Sequence, residues 1–187
     1  MRKVNLNKYI DHTLLKPTAV KTDIKKLCSE AEQYSFASVC VHPCYVSSCR
    51  DLLLSADVKV CTVIGFPLGA GTIESKVFET ANALKNGAHE FDMVMNVSQF
   101  KSGNYEYVSR EISMVKDAVG SDRCVKVIIE TCYLDKHEIV RACETGVSAG
   151  ADFIKTSTGF GSGGATPENV KLISSIVKDK AGVKASG

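Results

Sequence analysis

Short apolar runs rich in β-branched residues alternate along the chain with longer segments whose apolar residues recur at helical spacing. The short runs are typical of strands, and most are apolar on both alternating faces, as parallel strands covered on each side are. The longer segments are typical of amphipathic helices. The predicted strands span residues 8–15, 37–42, 58–66, 89–96, 124–131, 151–158 and 182–187.

Capping residues mark where the helical segments are predicted to begin. A hydroxyl or carboxylate at the N-cap accepts a backbone N–H of the first turn, and a proline or glutamate just inside the helix strengthens the signal. The predicted N-caps are Thr22, Thr72, Asp135 with Glu138, and Thr166 before Pro167. The faces predicted to be buried are Ile24, Leu27, Ala31 and Tyr34; Ile73, Val77, Ala81 and Leu84; and Tyr105, Val108, Ile112, Val115 and Val119, with Gly120 as the stop. Residues 44–54 are a weaker helix candidate.

Seven strands separated by helical segments predict a series of right-handed βαβ crossovers. Such a series forms either a (β/α)8 barrel of the TIM type or a doubly wound sheet. A full barrel generally takes about 200 residues or more, and this sequence of 187 residues ends at the seventh strand. We expect one domain, residues 1–187.

Composition narrows the functional classes. Apolar residues make up 44% of the chain and charged residues 24%, which is typical of a globular domain. A net charge of +2 is too small to favour nucleic acid or an anionic membrane as a partner. The first residues have no apolar core of a signal peptide. The eight cysteines are therefore expected to be reduced thiols in a cytoplasmic protein.

Ionisable residues within the predicted strands are the main functional signal. These residues are Asp11, Asp92, Lys126, Lys155 and Lys184. Burying a charge is costly unless it is paired or its pKa shifts, so a single pair would be read as a structural ion pair. Several such groups from five strands favour an active site, because perturbed charges cluster there.

A surplus of lysines over carboxylates points to one kind of chemistry. An ordinary lysine is protonated at neutral pH and is not a nucleophile. A second ammonium group nearby, together with burial, lowers the lysine pKa and yields a free amine. Such an amine forms a Schiff base with a carbonyl, and the iminium draws electrons from an adjacent C–C bond while a carboxylate moves protons. The pattern predicts a lysine-dependent aldolase.

The motifs that carry these residues resemble those of deoxyribose-phosphate aldolase over nearly the whole chain. The resemblance implies a (β/α)8 TIM-barrel enzyme that reversibly cleaves 2-deoxy-D-ribose 5-phosphate into acetaldehyde and D-glyceraldehyde 3-phosphate. It also implies that neither a metal nor an organic cofactor is used. In order, the motifs are YIDHTLLKP, ASVCVHP, VCTVIGFPLG, FDMVMN, VKVIIET, ADFIKTSTGF and VKASG.

The same resemblance assigns roles to individual residues. Lys155, in FIKTSTG, is similar to the Schiff-base nucleophile. Lys184, in VKASG, is similar to the lysine that lowers the pKa of the nucleophile and joins the proton relay. Asp92, in FDMV, is similar to the general acid/base that acts on the C3 hydroxyl through water.

Three further residues are predicted to support the site. Asp11 and Lys126 match polar interior positions, where they act either as supporting electrostatics or as a purely structural ion pair. Glu130, at the end of the fifth strand, is a weaker candidate for orienting the groups that react.

Glycines at 159, 161 and 164 satisfy the spacing of a dinucleotide-binding loop. That interpretation is disfavoured, because the position about 20 residues on, where an acidic residue is needed, holds Lys184. We predict instead that the backbones of Gly159, Gly161 and Gly187 contact a sugar phosphate. A merely flexible loop is the alternative.

A cluster of cysteines and one histidine superficially resembles a zinc site. It consists of Cys40, His42, Cys44 and Cys49. No second cluster of paired ligands accompanies it, and Cys40 sits between two valines as a core residue of a strand would. We therefore predict no metal site and no cysteine nucleophile.

The resemblance extends beyond the last residue of the sequence. Family members continue after the position of Gly187 with a helix and an eighth strand, whose loop also binds phosphate. We therefore expect a C-terminal βα unit to be missing. Alternatives to the aldolase are an inactive barrel remnant that acts only through subunit contacts and a Lys/Asp proton-transfer barrel such as a phosphosugar decarboxylase. The expected partners are a phosphosugar substrate and a second copy in a homodimer, with neither nucleic acid nor membrane.

Overall fold

The computed structural model describes residues 5–187, which separate into two compact units. The first unit comprises residues 5–63 and 82–90, and the second comprises residues 64–81 and 91–187. The strands are β1 (Asp11–Leu14), β2 (Ser38–Val41), β3 (Lys59–Ile64), β4 (Glu90–Val94), β5 (Cys124–Ile128), β6 (Phe153–Lys155) and β7 (Gly182–Lys184). The helices are α1 (Lys21–Gln33), α2 (Val46–Leu52), α3 (Ile73–Lys85), α4 (Val97–Lys101), α5 (Tyr105–Val119), α6 (Lys136–Ser148) and α7 (Pro167–Val177).

Each of the seven predicted strands contains an observed strand, and each observed strand is shorter than its prediction. The residues in excess lie mostly beyond the carboxyl ends, where the chain leaves the sheet. Parallel strands expose those ends to the loops that carry function in α/β folds. The over-long predictions therefore arise from apolar and β-branched residues that continue into these loops.

In the first unit, β1, β2 and β3 are parallel neighbours, with Asp11 paired to Ser38 and Ser38 to Lys59. All four residues of β2 are buried. Helix α1 buries Ile24, Leu27 and Ala31, as its apolar stripe predicts, together with Cys28. The weaker candidate at 44–54 is realised as a short 3-10 turn, Pro43–Tyr45, followed by α2.

The predicted start of α1 is wrong by two residues. The N-cap is Val20, whose backbone N–H donates to Asp23 Oδ2 at 2.9 Å. A carboxylate at the third helical position thereby fixes the start, and Thr22 lies inside the first turn. Tyr34, predicted to be buried, is the C-cap residue and is exposed.

In the second unit the strand order is β4–β5–β6–β7. The stripe predicted for α5 is buried from Val108 to Val119, whereas Tyr105 is exposed. Gly120 ends that helix with a φ of 79°, a conformation that favours glycine. The predicted N-caps of α6 and α7 are confirmed, since the side chains of Asp135 and Thr166 each accept a backbone N–H.

Helix α3 begins as predicted but buries a different face. Thr72 Oγ1 accepts the Ser75 N–H at 3.3 Å, which confirms the cap. The predicted face is right at Ile73 and wrong beyond it, because Ala81 is exposed and Val77 and Leu84 are half-buried. The buried face is Ile73, Lys76, Thr80 and Ala83. Lys76 can lie on the buried face of this helix because its charge is paired with Glu111. The apolar residues expected on that face lie partly on the exposed side instead.

All eight cysteines are free thiols, and five of them are buried. Among residues 5–187, no helix is long and apolar enough to cross a membrane. His42 Nε2 lies 2.9 Å from the carbonyl oxygen of Leu15, and Cys44 is exposed. The absence of a metal site at this cluster stays a prediction.

Candidate active site

One carboxylate and two lysines form a buried centre in the second unit. Lys126 Nζ donates to Asp92 Oδ1 at 3.0 Å, and Lys155 Nζ donates to Asp92 Oδ2 at 2.6 Å. The three side chains come from β4, β5 and β6, in that order across the sheet. None of the three residues is more than 5% exposed. The sequence prediction that the charged strand residues converge is confirmed for these three.

The local sequence explains why the three charges are inside. Asp92 is flanked by Phe91 and Met93, and the whole of β4 is buried. Lys126 stands between Val125 and Val127, which are also buried. A strand buried on both faces leaves its polar side chains no route to solvent, so they have to pair with one another.

The electrostatics of the centre are dominated by its positive charge. Burial raises the pKa of Asp92, but the ammonium groups of Lys126 and Lys155 outweigh it and hold the pKa well below its ordinary value. Asp92 is therefore a carboxylate. With both lysines protonated, the centre has two positive charges and one negative charge, and the release of one proton relieves that surplus.

Lys184 is placed beside Lys155 by the backbone. The two residues are register partners on the parallel strands β6 and β7, so their side chains project from the same face of the sheet. The Thr156 N–H donates to the Lys184 carbonyl oxygen at 3.0 Å and continues this pairing. Lys184 is half-buried. The predicted neighbourhood of the two lysines is thus present in the strand register.

Glu130 contacts the loop that follows β6. It adopts a left-handed backbone with a φ of 51°, and its carboxylate accepts the Thr158 N–H at 3.2 Å. It also accepts a very short hydrogen bond from Thr158 Oγ1, which in turn accepts the Phe160 N–H at 3.0 Å. Glu130 therefore holds the segment that begins three residues after Lys155.

The glycines of that loop are required by close packing. A side chain on Gly161 would come within 2.7 Å of Cys132 Sγ, and one on Gly164 would come within 2.7 Å of the Gly187 backbone. Gly159 and Gly187 adopt positive φ angles of 84° and 100°. These constraints argue against a merely flexible loop. Contact with a phosphate stays a prediction.

Hydroxyl groups tie the loop after β6 to the loop after β7. Ser186 N donates to Thr156 Oγ1 at 3.0 Å, and Ser186 Oγ donates to the Ser157 carbonyl at 2.7 Å. The Ala165 N–H donates to the Ser186 carbonyl at 2.9 Å. These bonds bring the segments that carry Lys155 and Lys184 together just beyond the strands.

An open cleft of about 620 Å³ lies beside these loops. It is lined mostly by apolar groups, with the polar side chains of Glu130 and Thr158 among them. The apolar lining includes Pro67, Leu68, Val94, Val97, Tyr133 and Phe160. Its walls are thus formed by segments that follow β3, β4, β5 and β6, the ends at which parallel α/β folds bind ligands.

One predicted site residue, Asp11, belongs to the first unit, and two buried charged residues of the second unit were not predicted. Asp11 begins β1 in the first unit, and its supporting role stays a prediction. Lys76 and Glu111, on α3 and α5, form a fully buried ion pair in the second unit. The signal for this pair was present, because each charged residue lies at helical spacing from apolar residues of a buried stripe, as Glu111 does from Val108.

Comparisons with known proteins agree with this arrangement. The sequence matches the DeoC/LacD family aldolase over residues 6–187. It is 61% identical over 186 residues to the deoxyribose-phosphate aldolase of Thermoanaerobacter pseudethanolicus, covering 98% of this chain and 83% of that protein. It is 56% identical over 187 residues to the deoxyribose-phosphate aldolase of Clostridium perfringens strain 13, covering 100% and 84%.

Solved structures give the same result. The tetrameric deoxyribose phosphate aldolase of Aeropyrum pernix superposes with a TM-score of 0.88 at 37% identity, covering 97% of this chain and 77% of that one. An aldolase named QR15 superposes with a TM-score of 0.94 at 42% identity, covering 99% and 82%. The prediction of a (β/α)8 TIM-barrel type of fold is confirmed, and the doubly wound alternative is discarded. By both sequence and structure, this chain belongs to the DeoC/LacD family of aldolases.

Proposed function

We propose that this chain is a deoxyribose-phosphate aldolase, a lyase that reversibly cleaves 2-deoxy-D-ribose 5-phosphate through a Schiff base on Lys155. The observation that carries the proposal is the buried centre in which two lysines share the carboxylate of Asp92 while Lys184 stands in register with Lys155. The relatives named deoxyribose-phosphate aldolase support the choice of substrate.

The reaction begins with the amine of Lys155. Loss of one proton from the positively charged centre leaves a neutral amine, which attacks the aldehyde carbon of the open-chain sugar. The carbinolamine then loses its oxygen as water and becomes an iminium. Lys184, next to Lys155 on β7, supplies and accepts protons in these steps.

Asp92 governs the bond-breaking step. Once Lys155 is an iminium, its nitrogen no longer donates three hydrogens, and Asp92 Oδ2 becomes available to a water molecule. Through that water Asp92 takes the proton of the C3 hydroxyl. The C2–C3 electron pair moves into the iminium, which gives an enamine and releases D-glyceraldehyde 3-phosphate. Protonation of the enamine carbon and hydrolysis then return acetaldehyde and free Lys155.

The remaining predicted residues have supporting roles in this proposal. Lys126 keeps Asp92 ionised by donating to Oδ1, the carboxylate oxygen that Lys155 does not contact. Glu130 holds the loop after β6 in place through Thr158. The backbone amides of Gly159, Gly161 and Gly187 would bind the substrate phosphate, and no metal or organic cofactor takes part in the steps.

We extend the proposal to the setting of the enzyme. We propose a cytoplasmic protein in which residues 1–187 form a single aldolase barrel domain. A homodimer is the proposed assembly. The Aeropyrum pernix relative is described as a tetramer, so association of copies is compatible with this family.

Reduction with borohydride in the presence of acetaldehyde tests the proposal. We expect the protein to gain a two-carbon adduct by mass spectrometry and peptide mapping to locate it on Lys155. The Lys155→Leu variant should gain no adduct, because the nucleophilic amine is gone. A matched control is Lys25→Leu, on the exposed side of α1, which should be trapped like the wild type.

The alternatives predict different results. An inactive remnant or a proton-transfer decarboxylase forms no adduct with acetaldehyde. An adduct that persists in Lys155→Leu would contradict the assignment of the nucleophile. Release of D-glyceraldehyde 3-phosphate from the phosphorylated sugar, followed in a coupled assay, tests the substrate separately from the Schiff base.

A further inference from the structure

A second lysine–carboxylate cluster lies in the second unit, outside the proposed catalytic centre. Lys76 Nζ donates to Glu111 Oε1 at 2.5 Å, and the two residues are 1% and 0% exposed. The other polar contacts of the pair go to backbone. Lys76 Nζ also donates to the Val94 carbonyl at 2.8 Å, and Glu111 Oε2 accepts the Asn96 N–H at 2.9 Å.

These backbone contacts grip the carboxyl end of the strand that carries Asp92. Val94 is the last residue of β4, two positions after Asp92, and Asn96 is the N-cap of α4. Met95, between them, donates its N–H to the Ile128 carbonyl at 3.1 Å and so joins this turn to β5. The ion pair therefore fixes the backbone on both sides of the point where β4 ends.

The same turn shapes one wall of the cleft. Asn96 Oδ1 accepts the Gln99 N–H at 3.1 Å and starts α4. Val94, Val97 and Ser98 line the cleft. A displacement of the turn would thus move Asp92 and the adjacent cleft wall together.

Holding two helices together does not require a buried ion pair. Apolar residues of similar volume serve that purpose as well or better, because they avoid the cost of desolvating two charges. What apolar residues cannot do is donate to the Val94 carbonyl and accept from the Asn96 N–H. Those two hydrogen bonds set the position of a particular stretch of backbone.

We infer that Lys76 and Glu111 are positioning residues for C–C cleavage, which hold the end of β4 so that Asp92 meets the water at the C3 hydroxyl. The inference rests on the proposed function, in which Asp92 carries that proton. It assigns neither residue to Schiff-base formation, because the side chains of the pair bond to each other and to the backbone of Val94 and Asn96.

The chain offers a matched control at the opposite ends of the strands. Lys116 Nζ donates to Asp152 Oδ2 at 2.6 Å and to the Arg123 carbonyl at 2.8 Å, and Asp152 accepts the Val125 N–H at 2.7 Å. This pair also joins a helical lysine to strand backbone, but it does so at the amino ends of β5 and β6. Removing it should destabilise the fold without affecting the chemistry.

The test compares two double variants, Lys76→Met with Glu111→Gln and Lys116→Met with Asp152→Asn. Each removes both charges of its pair, so neither leaves a buried charge alone. For the Lys76/Glu111 variant we expect kcat for sugar cleavage to fall about tenfold to a hundredfold, because small misplacements of reacting groups have effects of that size. Acetaldehyde trapping at Lys155 should stay within about twofold of the wild-type rate, as should KM. The Lys116/Asp152 variant should keep its kcat.

Several outcomes would overturn the inference. These are an undiminished kcat in the folded Lys76/Glu111 variant, an equal loss of kcat in both variants, or a parallel loss of trapping and cleavage. If the double variant does not fold, Glu111→Gln alone should give the same split between cleavage and trapping, and an unchanged kcat would overturn the inference there. If the wild type itself forms no adduct, the proposed function fails, which is distinguishable from failure of the positioning role.

Discussion

Two buried clusters in the second unit are built from the same residue types and differ in their charge balance. At Asp92, two lysines share one carboxylate, whereas Lys76 faces Glu111 alone. At Asp92, each carboxylate oxygen accepts from an ammonium group. In the Lys76–Glu111 pair, one hydrogen bond joins the charges and the others go to the backbone of β4 and the turn after it.

The pKa directions follow this difference. For Asp92, burial acts to raise the pKa, but two positive neighbours outweigh it and the pKa is lowered. For the one-to-one pair, burial is the stronger effect on both partners: it lowers the pKa of Lys76 and raises the pKa of Glu111, and the opposite charge offsets only part of each shift.

Under the proposed function, charge stoichiometry separates the centre at Asp92, which carries the chemistry, from the Lys76–Glu111 pair, which positions the chain. A surplus of ammonium groups favours the release of a proton from one amine, which is what a Schiff-base nucleophile needs. A balanced pair that spends its other hydrogen bonds on backbone has no such surplus. It instead specifies the position of the chain.

The largest expected effect comes from removing the shared carboxylate. Asp92→Asn should lower kcat for sugar cleavage by about 10²- to 10⁴-fold, the usual contribution of a general acid or base. Trapping of acetaldehyde should persist, since Lys155 is intact. Steady-state kinetics and mass spectrometry on one preparation measure both effects. A kcat within tenfold of the wild-type value would remove Asp92 from the mechanism.

A smaller effect is expected when one of the two ammonium groups at Asp92 is removed. Lys126→Met removes one of the two ammonium groups that contact Asp92, so Lys155 should hold its proton more tightly. The rate of trapping at neutral pH should then fall about tenfold, equivalent to about 1.4 kcal/mol, and should recover as the pH is raised. Lys59→Met, which breaks the ion pair between the exposed Lys59 on β3 and Glu90, is the control and should show no change. A pH profile identical to that of the wild type would reduce Lys126 to a structural partner.

The smallest effect concerns stability in acid. Because folding lowers the pKa of Asp92, its stabilising contribution is present above 3.8, the ordinary value, and is lost as the pH falls below it. The difference in unfolding free energy between the wild type and Asp92→Asn should therefore shrink by at most about 1.4 kcal/mol per pH unit. Urea unfolding at pH 6, 4.5, 3.5 and 3 measures it.

Glu111 should behave in the opposite sense. Its pKa is raised in the folded state, so the folded protein binds the proton more readily than the unfolded chain. The contribution of Glu111 to stability therefore increases as the pH falls towards 4.5, its ordinary value. A wild-type to Glu111→Gln difference with the same pH dependence as that of Asp92→Asn would contradict the comparison.

The buried centre around Asp92 could be predicted from the sequence because its charges interrupt apolar strands. Lys126 lies between two valines, and Asp92 lies between a phenylalanine and a methionine. Neither strand therefore has a polar face on which a charged residue would be expected. Strand order then brings them together without detailed knowledge of the loops. The same reasoning singled out Lys155 and Lys184, which the structure places as register partners on β6 and β7.

The Lys76–Glu111 pair was not predicted because charged residues are common on the solvent-facing part of an amphipathic helix, which is most of its surface. A lysine in an amphipathic helix is ordinarily on the solvent face, so Val77 and Leu84 were favoured as the buried stripe of α3. The choice between the two faces depends on a partner 35 residues away on another helix. The pattern of apolar residues within one helix gives no information about a partner on another helix. The prediction of where α1 starts is wrong for a local reason. The Asp23 carboxylate accepts the Val20 N–H, so the helix begins before Thr22.

The pairing of Lys155 with Lys184 has a consequence for building catalysts. Their neighbourhood is set by the register of two parallel strands, which lie about 4.8 Å apart in any sheet. Backbone hydrogen bonds therefore place the two lysines side by side on one face of the sheet, and their side chains set the final distance between the amines. Two lysines transplanted to register partners on adjacent strands of an unrelated parallel sheet, with one carboxylate two strands from the nucleophile, would form a minimal amine catalyst whose strand spacing the new scaffold supplies.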